Sequence, residues 1–506
     1  MSTARAAMAV APIVLRAWGR EIAAVFGARE RTVMLACVAL FMGAGLSGAL
    51  LAWLFGMLPG DTTAIPGPVR YGLLRMVLAS TVLSSALLMI VFCLLAPQRT
   101  TLAALIELLP VTRAGAVAGL NLPLVGLSFL LALTFSAPSF VMVAQLLGSA
   151  AMVVFGIVMF AVLVALVKVM TFSLFMITFE VGRRFVRLPS QYALTVAAVF
   201  SCGCVVALSA HDLWPTPELL TGQTTAWWHA WTPSGSFALT LATAANLANL
   251  PMTPIAAVAG WTGAVVALFL LAGQLLRTEH VSPSIRLLVG MPVPRTRLAA
   301  QAWFEALILL RTPQFSIMTV LIVAITVAVA LWVPGQDDSA LFDAVLGALV
   351  MAPMLVCMQS VGLTLRTHWL ARHLLATSNS WALPKALGTL VASAPVSILV
   401  LLILGVSGLL GMDQVPTMGA GALAAWGAAL LGGALVPYSE AQPLSAGLTG
   451  FTVMILFLGV AGGLEWFLDG ISLINVPLAS LLALGVFVLG YALVVRRVAD
   501  DDTSRI

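Results

Sequence analysis

Charged and apolar residues alternate along residues 13–30 at the spacing of an α-helix, whereas most of the chain that follows is apolar on every side. This alternation places charges on one helix face and apolar residues on the other, which predicts an amphipathic helix lying in the membrane interface. A second amphipathic helix is predicted at 296–312. The side chains that we assign to these two interfacial helices are Arg16, Trp18, Arg20 and Glu21 in the first and Trp303 and Glu305 in the second.

Apolar segments of about 20 residues follow each amphipathic helix, and a segment of this length is what a helix needs to cross the hydrocarbon core of a bilayer. They predict about twelve spans, at 32–58, 72–96, 116–136, 141–166, 190–210, 254–276, 316–334, 342–365, 387–411, 417–437, 446–465 and 475–495. The run over 141–178 is long enough to be split in two. We predict one long helix there that projects into the cytoplasm, with the Lys168 side chain reaching the inner surface.

Composition agrees with a polytopic, all-α membrane protein. The chain is 61% hydrophobic and 8% charged, with a mean hydropathy of +1.09, whereas an average soluble domain is roughly 25% charged. Of its 24 lysines and arginines, only Arg70 and Arg75 fall in segments assigned to the outer side. This bias predicts a location in the cytoplasmic (inner) membrane, with both termini in the cytoplasm. The net charge thus reports topology, and no nucleic-acid partner is expected.

The segment 211–253 is the longest predicted outer loop and contains neither lysine nor arginine. Two interpretations of its clustered tryptophans stay open. They form an aromatic belt at the outer headgroups, or they belong to a substrate gate that includes short re-entrant helices at 237–250. Arg75, one turn inside the second span, either reaches the outer headgroups or binds an anionic group of a substrate. The residues of this candidate gate are Arg75, Trp227, Trp228 and Trp231.

Residues for chemistry within the membrane are scarce in the sequence. The five cysteines fall in apolar runs and predict neither a disulfide nor a metal site. No Gly-x-x-x-x-Gly-Lys-(Ser/Thr) stretch occurs, so the chain has no P-loop for ATP. The acidic residues map to loops, interfacial helices or span ends, so we predict no catalytic residue. An ion-coupled secondary transporter lacks its usual carboxylates but remains the alternative, because backbone carbonyls can bind Na⁺.

An internal repeat is indicated by the order of these elements. Ala17–Glu21 before the first span resembles Ala302–Ala306 before the seventh, and the polar stretch at 107–119 has a weaker copy at 374–387. Without gaps, Gly119 lies over Lys385. Repeats of this kind predict two parallel six-span bundles. The predicted units are residues 1–283 and 284–506.

The stretch Leu108-Leu-Pro-Val-Thr-Arg113, after an interfacial helix and two spans, resembles the motif of type 2 permeases of ATP-binding cassette (ABC) exporters. The chain looks like two such permeases fused. In that family the motif stretch forms a short coupling helix that docks on an ATPase subunit. The residues that this resemblance assigns to ATPase docking are Glu107, Leu109, Pro110, Thr112 and Arg113 in the first copy and Ser378, Asn379 and Lys385 in the second.

This resemblance implies a pair of separate ATPase subunits that carry ATP and Mg²⁺, with no cofactor in the chain itself. A stiff contact suits the motif, because Pro110 rigidifies its start and Thr112 can cap a helix. The second copy has Ala376 and Asn379 where the first has Pro110 and Arg113, so we expect the first contact to be the stronger. The apolar spans predict export of a lipophilic or amphipathic compound, such as a drug, a peptide antibiotic or a lipid.

Overall fold

The structure is a computed structural model, and its described part is helical, without a β-strand. The description covers residues 3–26, 66–95, 113–147, 150–213, 231–245, 254–275, 292–332, 340–364, 381–437, 443–464 and 476–501, together with scattered positions between 29 and 49. By contact the chain divides into two compact units, Met1–Val281 and Ser282–Ile506.

The first unit contains eight described helices. They are α1 (Thr3–Phe26), α2 (Gly67–Leu95), α3 (Arg113–Phe135), α4 (Ala137–Leu147), α5 (Ala150–Arg184), α6 (Ser190–Leu213), α7 (Pro233–Ala244) and α8 (Pro254–Leu275). Helix α5 packs against α2, α6, α7 and α8 and so lies at the centre of the unit. Its last turn closes with Arg187 in the left-handed region (φ 57°) and a bond from the Leu188 amide to the Gly182 carbonyl, a Schellman-type end.

The second unit contains the remaining helices. They are α9 (Arg297–Leu310), α10 (Pro313–Trp332), α11 (Ala340–Leu355), α12 (Ser360–Thr364), α13 (Ala382–Val406), α14 (Val415–Leu435), α15 (Pro443–Leu456) and α16 (Val476–Asp501). A 3₁₀ turn, Val356–Gln359, joins α11 to α12, and a π-helical segment, Phe457–Gly462, continues α15. Helix α14 is central because its glycines admit close neighbours. A Cβ at Gly433 would lie 2.3 Å from the Met358 carbonyl oxygen, and one at Gly432 would lie 2.5 Å from Val453.

Nine described helices are long and apolar enough to cross a membrane. They are Val69–Leu94, Ala151–Arg184, Tyr192–Ser209, Ala256–Leu275, Gln314–Leu331, Val345–Thr364, Ala382–Val406, Val415–Leu435 and Pro477–Val495. The pair Gly119–Phe135 and Ala137–Leu147, bent by 58°, makes a tenth candidate if it is one span. Gly447–Val460 is a shorter apolar helix. The chain is therefore a polytopic membrane protein, and the predicted span at 32–58 falls almost wholly outside the described residues.

Two predictions about the central segment of the first unit need correction. The predicted helix starting at 141 actually starts at Ala150, because residues 137–147 form the separate helix α4. Lys168 does not reach a surface: its side chain is fully buried within α5. The single long helix as far as Arg184 is present.

The predicted amphipathic helices are both helical, with one change of boundary. Helix α9 nearly fills the predicted 296–312, whereas α1 begins at Thr3, ten residues before the predicted start. In α1, Val10, Val14 and Trp18 are buried, while Arg16 and Arg20 are exposed. The apolar face of α1 therefore packs inside the unit, against α3, and α9 packs on α13 in the same way.

Candidate functional site

A buried polar cluster joins three helices of the first unit. Arg75 of α2 donates from Nη2 to Oδ1 of Asp212, in the last turn of α6. The other carboxylate oxygen of Asp212 accepts hydrogen bonds from Thr232 (2.8 Å) and from Ser234 in the first turn of α7. Thr232 also caps α7 by accepting from the Gly235 amide, 3.0 Å away. One carboxylate thus holds an arginine and the start of a helix together.

This cluster corrects the predicted behaviour of Arg75. Its side chain is 1% exposed and that of Asp212 is 0% exposed, so Arg75 does not reach the headgroups. Tyr71 covers the guanidinium, with its ring centroid 5.8 Å from the Arg75 Cζ. Asp212 already neutralises the charge, so the geometry gives Arg75 a structural partner in place of either predicted partner, the outer headgroups or a substrate anion.

The tryptophan-rich segment is described only in part. Trp231 is exposed, and its carbonyl oxygen accepts from Trp261 Nε1 on α8, 2.7 Å away. Helix α7 starts four residues before the predicted re-entrant segment and ends at Ala244. Trp227 and Trp228 lie outside the described residues. The belt and the gate therefore both stay predictions.

A small apolar cavity lies between α5, α7 and α8. The volume open to a molecule the size of water is about 10 Å³, and the lining includes Leu163, Val167, Phe237, Trp261 and Val265. Pockets that hold drug-sized ligands measure about 300–1,000 Å³. The cavity in this conformation is therefore too small for such a cargo.

Lys168 and Glu180 are buried ionisable groups on α5 with different surroundings. Glu180, near the end of α5, pairs with Arg184 Nε at 3.1 Å and Arg183 Nη1 at 3.9 Å. Arg184 also donates to the Leu275 carbonyl oxygen at the end of α8. Lys168 Nζ has no hydrogen-bond partner in the described part of the chain. An amino group buried without a hydrogen-bond partner is costly, so Lys168 is the less well accommodated of these two groups.

A second buried polar cluster surrounds Lys385 in the second unit. Lys385 Nζ lies 2.6 Å from Glu305 Oε2 on α9 and 2.7 Å from Thr364 Oγ1 at the end of α12. It also donates to the Ser360 carbonyl oxygen at 3.3 Å. These contacts use all three donor positions of the ammonium. Lys385, whose whole residue is 1% exposed, therefore ties α9, α12 and α13 together.

A close helix crossing recurs in both units. A Cβ added at Gly119 of α3 would lie 2.5 Å from the Cβ of Val10 on α1. A Cβ added at Gly388 of α13 would lie 2.7 Å from the Cβ of Glu305 on α9. Real Cβ atoms do not approach this closely, so each crossing requires glycine. In each unit the amphipathic helix is thus seated against the helix that follows the predicted docking stretch.

Most of the predicted docking residues cannot be placed. Glu107, Leu109, Pro110, Thr112, Ser378 and Asn379 lie outside the described residues, as does the side chain of Arg113, the first residue of α3. Lys385 is the exception, and its burial removes it from any surface that a partner could contact. Among the interfacial residues, Trp303 is half-buried, Glu305 pairs with Lys385, and the side chain of Glu21 is not described.

Sequence reasoning missed both polar clusters, although part of the signal was present. Arg75 and Asp212 are opposite charges predicted near the outer side, and Glu305 and Lys385 are opposite charges predicted near the inner side. The prediction did not consider that charges on different helices of one bundle could pair with each other. The hydroxyl partners carried no signal, because serine and threonine are common in membrane helices and usually bond to their own backbone.

Neither a metal site nor a disulfide is evident in the described ranges. No group of three or more His, Cys, Asp or Glu side chains with metal-binding geometry occurs there. Cys93, Cys202, Cys204 and Cys357 are all free.

Comparison with protein-family models, with curated proteins and with solved structures found no match for this chain. The class of protein therefore rests on the structure alone. The structure defines an all-helical, polytopic membrane protein with two compact units, each with an amphipathic helix packed by a glycine crossing.

Proposed function

We propose that the chain is the transmembrane permease subunit of an ATP-driven ABC exporter, with two fused six-span units. Separate ATPase subunits, two copies per chain, supply ATP and Mg²⁺ and dock on 107–119 and 374–387. The exported compound is lipophilic or amphipathic. The chain lies in the cytoplasmic membrane with both termini inside, and it is itself not catalytic.

The recurring glycine crossing is the observation that most supports this proposal. In each unit it joins the N-terminal amphipathic helix to the helix that emerges from the predicted docking stretch, near residues Arg113 and Ala382. A rigid contact at that point is what transmission of force from a docked ATPase to a span requires. The Leu-Leu-Pro-Val-Thr-Arg motif immediately before α3 supports the same function.

Buried charge favours a second candidate, an ion-coupled secondary transporter. Asp212 and Lys168 are both fully buried in spans or at span ends, and ionisable groups at such positions often mark proton or ion pathways. Asp212 is weaker support, since Arg75 and two hydroxyls already satisfy it. Lys168 is the better support for this alternative.

Co-purification with an ATPase tests the proposal. The chain is expressed with a candidate ATPase that carries Walker A and signature motifs, and the complex is captured on the permease. Replacing Pro110, Thr112 and Arg113 together with alanine should weaken capture strongly. The matched control replaces Arg295 and Arg297, two exposed arginines on the predicted cytoplasmic side. Full retention of the ATPase by the triple variant contradicts the docking assignment.

Transport in proteoliposomes separates the two candidates. An ABC exporter moves an amphipathic dye only when the ATPase and Mg-ATP are both present. Movement driven by a proton or sodium gradient in vesicles that contain this chain alone would instead establish the secondary transporter.

A further inference from the structure

We propose that Glu305 and Lys385 form an ionic latch that holds the start of α13, where the second docking stretch ends, against α9, and that the two corresponding positions of the first unit lack this charge pair. Both are positioning residues, since neither is placed to touch an ATPase. The proposal rests on the proposed function, because it assigns the latch to the transmission of movement from a docked ATPase.

The glycine crossings fix which residues of the two units correspond. The Cβ built on Gly119 approaches the Ala7 carbonyl oxygen (3.0 Å) and the Val10 Cβ (2.5 Å). The Cβ built on Gly388 approaches the Ala302 carbonyl oxygen (2.5 Å) and the Glu305 Cβ (2.7 Å). Gly119 therefore corresponds to Gly388, and Val10 corresponds to Glu305. In both amphipathic helices the two contact residues are three apart.

This correspondence changes the alignment of the repeat. The gapless alignment placed Gly119 over Lys385, whereas the crossings place it over Gly388, three residues later. The residue of α3 that matches Lys385 is then Ala116. Both Val10 and Ala116 are buried, at 1% and 4% exposure. Where the second unit has a glutamate and a lysine, the first has a valine and an alanine.

The position of the latch suits a role in transmission. Thr364 is the last residue of α12, and Lys385 lies in the first turn of α13, near the end of the predicted docking stretch 374–387. Lys385 Nζ contacts Thr364 and Glu305 at once. One ammonium therefore joins the end of α12 and the start of α13 to the amphipathic helix α9. The corresponding positions of the first unit, Val10 and Ala116, are apolar and can supply only contacts with little directional preference.

The latch should make the second docking contact more rigid than its sequence alone suggests. The second docking stretch has Ala376 and Asn379 in place of Pro110 and Arg113 and so offers less to a partner. We infer that the rigid attachment of α13 to α9 compensates for this weaker contact surface. Movement of the second ATPase would then reach α9 and α13 together, with less loss than in the first unit.

The test compares transport with ATP hydrolysis in the reconstituted complex. Lys385→Met and Glu305→Gln each remove one charge of the latch at nearly constant volume. Both variants should still bind the ATPase, since the contact surface is unchanged. The amount of dye moved per ATP hydrolysed should fall about threefold or more, within the range for residues that carry coupling between sites. Arg297→Gln, an exposed charge on the same helix, is the control and should leave this ratio unchanged.

The double variant Glu305→Leu with Lys385→Met distinguishes positioning from stability. Removing both charges leaves neither one unpaired, so the thermal unfolding midpoint should recover relative to the single variants. The transport ratio should stay low, because the fastening is still lost. Recovery of the ratio along with the midpoint would show that the latch is only structural and would overturn the proposal.

Conservative variants cover the case in which the single variants fold poorly. Lys385→Arg and Glu305→Asp keep the charges and should keep most of the ratio, and a loss as large as that of Lys385→Met would contradict the latch. An unchanged ratio in every single variant also overturns it. If the wild-type chain shows no ATPase-dependent transport at all, the proposed function is wrong, and the latch, which depends on that function, is wrong as well.

Discussion

The crossing of α1 and α3 makes a prediction whose size follows from measured distances. Gly119→Ala places a methyl group 2.5 Å from the Val10 Cβ, 2.8 Å from its Cγ1 and 3.0 Å from the Ala7 carbonyl oxygen. A Cβ and a backbone carbonyl cannot rotate away, so the helices must separate. Overpacking of this kind costs about 1–3 kcal/mol. Replacing a glycine in a helix interior with alanine raises the free energy of unfolding by about 1 kcal/mol, which offsets part of this cost.

Gly126 supplies a matched control on the same helix. A Cβ at Gly126 has no neighbour within 4 Å. Gly126→Ala should therefore only raise the free energy of unfolding, by about 1 kcal/mol, because alanine has a higher helix propensity than glycine. Both substitutions gain that increase, and the difference between them isolates the overpacking of about 1–3 kcal/mol. Unfolding of the purified chain in detergent, followed by helicity under identical conditions, measures this difference. Equal effects of the two substitutions would refute the crossing.

A size exchange tests whether the contact is specific to Val10. Val10→Gly removes the two atoms that approach the new methyl most closely, and the Ala7 carbonyl oxygen remains at 3.0 Å. The double variant Val10→Gly with Gly119→Ala should therefore be more stable than the sum of the two single effects predicts. Simple additivity would mean that these residues do not touch.

Three further substitutions probe the other buried contacts, each followed by the same unfolding measurement. Gly388→Ala should be less stable than Gly405→Ala on the same helix, because only Gly388 is close to a neighbour. Arg75→Met leaves the Asp212 carboxylate buried without its arginine and should cost about 3–5 kcal/mol; a loss below about 1 kcal/mol would contradict the buried pair. Lys168→Met should raise stability by about 1–3 kcal/mol, since it removes a buried ammonium without a hydrogen-bond partner, and lower stability would reveal an ion pair.

The helices could largely be predicted from the sequence because their signal is local. The start of α6 at Ser190 and that of α8 at Pro254 coincide with predicted span starts. A break near residue 136 was predicted, because one span was expected to end at 136 and the next to begin at 141. The start of α5 at Ala150 was missed, because residues 141–166 are almost entirely apolar and hydropathy does not show where one helix ends and the next begins. The start of α1 was missed because residues 3–12 carry only Arg5 as a charge, so their amphipathic pattern is weak.

The buried contacts were less predictable because they depend on packing between distant segments. Val10 and Gly119 are unremarkable in sequence, and only the helix crossing shows that the glycine is required. Lys385 was assigned to a docking surface because it falls in the second copy of the motif stretch, where it supplies a basic residue. Its burial depends on Glu305, which lies 80 residues earlier in the chain.

Satisfaction of the buried charges bears on the choice between the two proposed functions. Arg75 is neutralised by Asp212, and Lys385 has three acceptors within the second unit. Charges that are paired in this way are suited to holding helices in place. Releasing a proton or binding an ion at such a site would break several contacts at once. Lys168 differs, since its ammonium has no hydrogen-bond partner in the described ranges. If Lys168→Met stabilises the chain but abolishes transport, the cost of burying this charge is explained by function, and ion coupling gains over the exporter. If transport survives, Lys168 is not needed for it, and the exporter gains over ion coupling.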